Sequence, residues 1–84
     1  MSYEVVLTDS FWKDLKKLKN MELEEQVLDK LVELEENPER NKRLKYDLNE
    51  YYRLRVGKLR VLYVVKGNKV YVEVLVIRHK YEQA

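Results

Sequence analysis

Eighty-four residues allow one domain and no more, and a chain this short typically buries only about 60% of its unfolded surface, so its stability is marginal. With no cysteine, neither a disulfide framework nor a thiolate zinc site can supplement the core. The net charge of +2 conceals a gradient: residues 1–37 carry five Lys/Arg against ten Asp/Glu (−5), and residues 38–84 carry twelve against five (+7).

Tyr3, Val5 and Leu7 alternate with less apolar positions, which predicts a strand over residues 2–7. Thr8-Asp9-Ser10 then offers helix-capping side chains. Phe11, Trp12, Leu15 and Leu18 follow at helical spacing, with Lys13, Lys16, Lys17 and Lys19 outside, and Asn20 reads as the stop. Leu23, Val27, Leu31 and Leu34 mark the apolar stripe of a second helix that ends at Asn37-Pro38. The two helices are expected to form an antiparallel hairpin. Residues 39–45 form a basic connector without periodicity, and three strands are expected near 46–56, 59–65 and 70–78, joined by glycine-led turns at Gly57-Lys58 and Gly67-Asn68. The fold class is α+β, a single domain over 1–84: an N-terminal strand and helical hairpin packed on an antiparallel β-meander.

A two-residue turn at Gly57-Lys58 sets Arg55 opposite Arg60 and Arg53 opposite Leu62. Strict alternation then places Tyr52, Leu54, Val56, Leu59, Val61, Tyr63, Val65, Val70, Val72, Val74 and Val76 beneath the helices. The other face holds Arg53, Arg55 and Arg60 with Leu62, Val64, Tyr71, Glu73, Leu75 and Ile77. Three arginines on one open face are disfavoured by their own repulsion, and a polyanion would offset it. An ordinary solvated basic face is the competing reading. Leu62, Val64, Leu75 and Ile77 make that face too apolar for plain solvent, so a partner element, or another part of the chain, is expected to cover it. Arg43, Lys45 and Lys58 add positive charge nearby. Beyond the last strand, Arg78-His79-Lys80-Tyr81 gathers acid, base and stacking groups, His79 being the sole histidine.

The apolar runs, such as Val74 to Ile77, are far shorter than the roughly 20 residues that span a bilayer. With no apolar leader at the N-terminus, the expectation is a cytoplasmic protein with no membrane partner, no metal and no cofactor. Two glutamines, no cysteine and 38% charged residues also point toward a heat-adapted source.

The run Tyr52-Arg53-Leu54-Arg55-Val56-Gly57-Lys58-Leu59-Arg60-Val61-Leu62-Tyr63 resembles the YRIRVGdYRvvY hallmark of the RelE/ParE toxin superfamily. Ile77-Arg78-His79-Lys80 is similar to the VGHR segment that closes the family's last strand, with Arg78 where glycine is common and Lys80 where arginine is common. The order of elements agrees over essentially the whole chain. The resemblance implies a RelE-like, microbial-RNase-type fold and the toxin of a type II toxin-antitoxin pair. It further implies a ribosome-dependent mRNA endonuclease, neutralised by a RelB-like antitoxin, that cuts the message in the ribosomal A site and so inhibits translation. Under it, Arg60 stabilises the phosphate, Arg53, Arg55, Lys58, Arg43 and Lys45 hold RNA, His79 moves a proton with Lys80 as auxiliary, and Tyr81 stacks on a base. Leu62, Val64, Leu75 and Ile77 are the expected partner-binding residues. ParE-like inhibition of DNA gyrase and a non-catalytic RNA- or protein-binding role are the alternatives.

Overall fold

The computed structural model describes residues 2–43 and 50–77, apart from the side chains of Lys42 and Ile77. The elements run β1 (Glu4–Leu7), α1 (Asp9–Lys16), α2 (Met21–Leu31), a 3-10 extension Val32–Glu35, a second 3-10 turn Pro38–Arg40, β2 (Lys42–Arg43), β3 (Tyr52–Val56), β4 (Leu59–Lys66) and β5 (Lys69–Ile77). Short polar side chains set the helix starts. Thr8, in extended conformation, accepts from the Phe11 N–H at 3.3 Å through Oγ1, and Asn20 does the same for Leu23 at 3.1 Å. Asn20 is therefore the cap that opens α2 rather than the stop of α1. The left-handed residue between the helices is Lys19, at φ 51°. Pro38 begins the second 3-10 turn, where its missing N–H costs nothing.

The five strands form one mixed sheet in the order β1-β5-β4-β3-β2. β3, β4 and β5 are the expected meander, and β1 joins its far edge parallel to β5, an arrangement that requires the intervening crossover through the helices. The anticipated connector is not structureless: it contains the 3-10 turn and β2, which pairs Lys42 with Arg53 and Arg43 with Tyr52. Of the strand expected over 46–56, the described part begins only at Tyr52. Both hairpin glycines adopt positive φ, 58° at Gly57 and 62° at Gly67, as two-residue turns matched to sheet twist demand.

Phe11, Leu15, Val27, Leu31 and Leu34 from the helical layer pack on Leu54, Val56, Leu59, Val61, Tyr63, Val70, Val72 and Leu75 from one sheet face. Each such side chain contributes about 1.5–3 kcal/mol when fully buried. The presence of Leu75 there corrects the expected faces. Tyr63 pairs with Val72 but Leu62 pairs with Val74, so Glu73 is an extra residue, a β-bulge. The bulge resets alternation: Leu75 lies opposite Val61 and enters the core, while Val74 and Val76 fall opposite Leu62 and Arg60 on the far face. Ile77 pairs with Leu59. A strict period of two cannot anticipate one inserted residue.

Candidate nucleic-acid interface

The β3–β4 register is the expected one, with Arg55 opposite Arg60 and Arg53 opposite Leu62. The face it was expected to expose is nevertheless covered along β4. Arg60 is 0% exposed, and Leu62 and Val64 are each 6% exposed. Arg60 donates from Nη1 to its own neighbour's carbonyl, Leu59 O, at 3.3 Å. The apolar groove expected at Leu62, Val64 and Leu75 is thus not an open surface: Leu75 turns inward after the bulge, and the other two are covered. Part of the cover is Tyr51, whose hydroxyl donates to Glu73 Oε1 at 2.9 Å. β3 and β5 lie two strand spacings apart, about 9.6 Å, so this bond crosses β4. By accepting it, the Glu73 carboxylate holds the Tyr51 hydroxyl above its ordinary pKa, with burial adding to the rise.

Arg53 and Arg55 take a different position. At the edge of β3 they line a cleft of about 340 Å³ together with Leu54, Arg40, Asn41, Lys30 and Glu33. None of the three arginines makes an ion pair with any described residue, whereas Lys30 is bridged to Glu33 at 3.0 Å. Past Arg55 the cleft adjoins a second hollow along α2, lined by Gln26, Asp29, Lys30, Glu33, Val56 and Gly57, in which the charges balance. Three guanidiniums that stay charged at any physiological pH therefore line one solvent-open cleft at the β3 edge.

Arg40 owes its position to Tyr63. Fully buried, Tyr63 donates its hydroxyl to the carbonyl of Pro38 and accepts from Asn41 Nδ2 at 3.0 Å. The 3-10 turn carrying Arg40 is thereby pinned at both ends, and Arg40 N–H closes the turn onto Asn37 O at 3.3 Å. Burial pushes the Tyr63 hydroxyl up to about 12, against a lowering by the Asn41 hydrogen bond. Tyr63 stacks on Tyr52 with ring centroids 5.6 Å apart, and the exposed Arg43 places its guanidinium 5.6 Å from the Tyr52 ring centre.

Of the expected site residues, the structure brings Arg53 and Arg55 together, leaves Arg43 and Lys58 exposed on neighbouring segments, and buries Arg60. Lys45, His79, Lys80 and Tyr81 lie outside the described residues. Arg40, Tyr63, Tyr51 and Glu73 were not singled out as site residues from sequence. No spacing rule in the sequence links Arg40 to β3 across the eleven residues between them.

No curated protein sequence matches the chain. The family model described as the ParE toxin of the type II toxin-antitoxin system, parDE, matches residues 5–84. Among solved structures, the RelBE2 toxin-antitoxin complex from Mycobacterium tuberculosis contains a chain 25% identical at a TM-score of 0.83, with 93% of this chain and 100% of that one covered. A double arginine-to-alanine mutant of Escherichia coli toxin RelE in the free state is 28% identical, with a TM-score of 0.76 and coverage of 98% and 90%. The archaeal RelE-RelB complex from Pyrococcus horikoshii matches at 26% identity and a TM-score of 0.72, covering 93% and 97%.

Proposed function

The chain belongs to the ParE toxin family of type II toxin-antitoxin systems, and from that premise we propose that it is a ribosome-dependent mRNA endonuclease held in check by a RelB-like antitoxin. The observation that carries this reading is the cleft at the β3 edge, where Arg40, Arg53 and Arg55 gather around a solvent-open space whose one lining carboxylate, Glu33, is bridged to Lys30. Planar guanidiniums grip phosphate oxygens bidentately, which suits an RNA backbone. The 25–28% identity to RelE-type toxins over nearly the whole chain adds support.

In the proposed reaction the ribose 2′-hydroxyl loses its proton to a base and attacks the adjacent phosphorus. The bond to the 5′-oxygen breaks, and an acid protonates that leaving oxygen. Arg53 and Arg55 hold the backbone, with Arg43, Lys45 and Lys58 extending the positive surface. His79, aided by Lys80, is the proposed proton carrier, and Tyr81 stacks on a base. Arg60 acts on the phosphate only if the cover over its face opens on the ribosome. The test is to add the protein to ribosomes programmed with a defined message and an empty A site, then map new ends by primer extension. Cuts within the A-site codon are expected, and an intact message refutes nuclease activity.

The burial of Arg60 favours a second reading, a ParE-like inhibitor of DNA gyrase, because that activity needs no accessible phosphate-stabilising arginine on the sheet face. Inhibited supercoiling by purified gyrase with the message left intact would select it.

A further inference from the structure

We propose that Arg40 is a binding residue for a phosphodiester of an RNA backbone, completing with Arg53 and Arg55 a phosphate channel along the free edge of β3; this rests on the RNA-directed reading above. β2 covers β3 only at Tyr52 and Arg53, so among the described residues the strand edge from Leu54 onward has no neighbour within the sheet. Arg53 and Arg55 sit two residues apart on β3, about 6.6 Å along the strand. Arg40 faces them from the 3-10 turn, across the cleft.

Two features mark the cluster as a ligand site rather than scattered surface charge. First, the turn bearing Arg40 is fixed from inside the protein by the Tyr63 hydroxyl, through Pro38 and Asn41, so the guanidinium springs from a pinned backbone. A binding group held this way loses less entropy on engaging a ligand. Second, Glu33, the acid lining this part of the cleft, is occupied by Lys30, which leaves the three arginines to set its charge. Past Arg55 the hollow continues to Gly57 but is lined there by Asp29 and Glu33 as well, so the cationic part of the cleft is the stretch bounded by Arg40, Arg53 and Arg55, open to solvent. The message and ribosomal RNA present the same backbone chemistry, and the two arms of the test tell them apart.

The test uses the whole protein, Arg40→Ala and Arg40→Lys, with two binding arms over a salt series: a single-stranded RNA oligonucleotide, and ribosomes carrying no message. Loss of one phosphate contact lowers the slope of log affinity against log salt by about 0.7 for single strands. Arg40→Ala is expected to show that fall in at least one arm, and Arg40→Lys to restore the slope while binding more weakly than the parent. A fall in the oligonucleotide arm assigns the message, and a fall confined to the ribosome arm assigns ribosomal RNA. Parental slopes for Arg40→Ala in both arms overturn the proposal. A poly-glutamate control closes the remaining alternative: if Arg40→Ala weakens binding only to poly-glutamate, the cleft is a dock for an acidic protein and the proposal is overturned. If the parent cuts programmed message while Arg40→Ala keeps its slopes, the channel fails and the nuclease reading stands. If the parent cuts nothing while the slope still falls, nuclease activity fails and the channel stands as that of a non-cleaving RNA binder.

Discussion

Among the described residues, two of the places where a strand outruns its neighbour are treated in opposite ways. On β5, pairing with β1 stops at Val72, and the start of α1 takes over the exposed backbone. The Thr8 hydroxyl donates to Val72 O at 2.8 Å, the Ser10 hydroxyl donates to Glu73 O at 2.8 Å, and Asp14 Oδ2 accepts from Leu75 N–H at 3.3 Å. On β3, pairing with β2 stops at Arg53, and beyond it lie long cationic side chains and an open cleft. Unpaired edges invite association with other chains, and both covering the edge and charging it prevent this. Only the second leaves groups available to a ligand. The first edge is therefore spent on stability, and the second is kept for recognition.

Four measurements press on that contrast. The largest effect should come from between the two edges: Arg60→Ala removes a fully buried side chain and should cost about 2–5 kcal/mol, read as a lower denaturant midpoint. Loss of toxicity in this variant would then report unfolding, not lost chemistry. Raising the pH tests the Tyr63 clamp beneath the open edge. Its folded pKa of about 12 lies above the ordinary 10.0, so between these values the unfolded chain has lost a proton that the folded chain retains. Stability is fully present below pH 10 and should fall by up to about 1.4 kcal/mol per unit as pH rises toward 12, a decline that Tyr63→Phe should reduce. At the closed edge, Asp14→Ala leaves the Leu75 N–H without its acceptor and should cost about 1–3 kcal/mol in thermal unfolding. At the open edge, Arg55→Ala should shift stability by no more than about 0.5 kcal/mol while weakening RNA binding. A destabilisation at Arg55 as large as that at Asp14 would erase the distinction between the edges.

The helical stripe, the Thr8 cap, both glycine turns and the Arg55–Arg60 register were legible because each rests on neighbours within a few residues. The inward turn of Leu75 was not. It depends on the bulge at Glu73, whose backbone carbonyl is bonded by Ser10, 63 residues away in sequence. Pairing β1 beside β5 was equally hidden, since alternation identifies a strand without identifying its neighbour. The site followed the same rule: Arg53 and Arg55 were found through a local motif, whereas Arg40 joins them only through the Tyr63 hydroxyl, which bonds across 25 residues to Pro38.

By itself the sequence determined the two helices, β1 and the three-stranded meander though not β2, the superfamily, and the concentration of positive charge in the second half, because periodicity, turn chemistry and composition are local or additive. Tertiary structure alone decided which arginines meet solvent. Arg55 and Arg60 are cross-strand partners of identical chemistry, yet one is exposed and the other has no exposed surface. The difference is position in the sheet: Arg55 stands on a strand whose outer edge is open, while Arg60 stands on β4, flanked by strands on both sides, beneath a covered face.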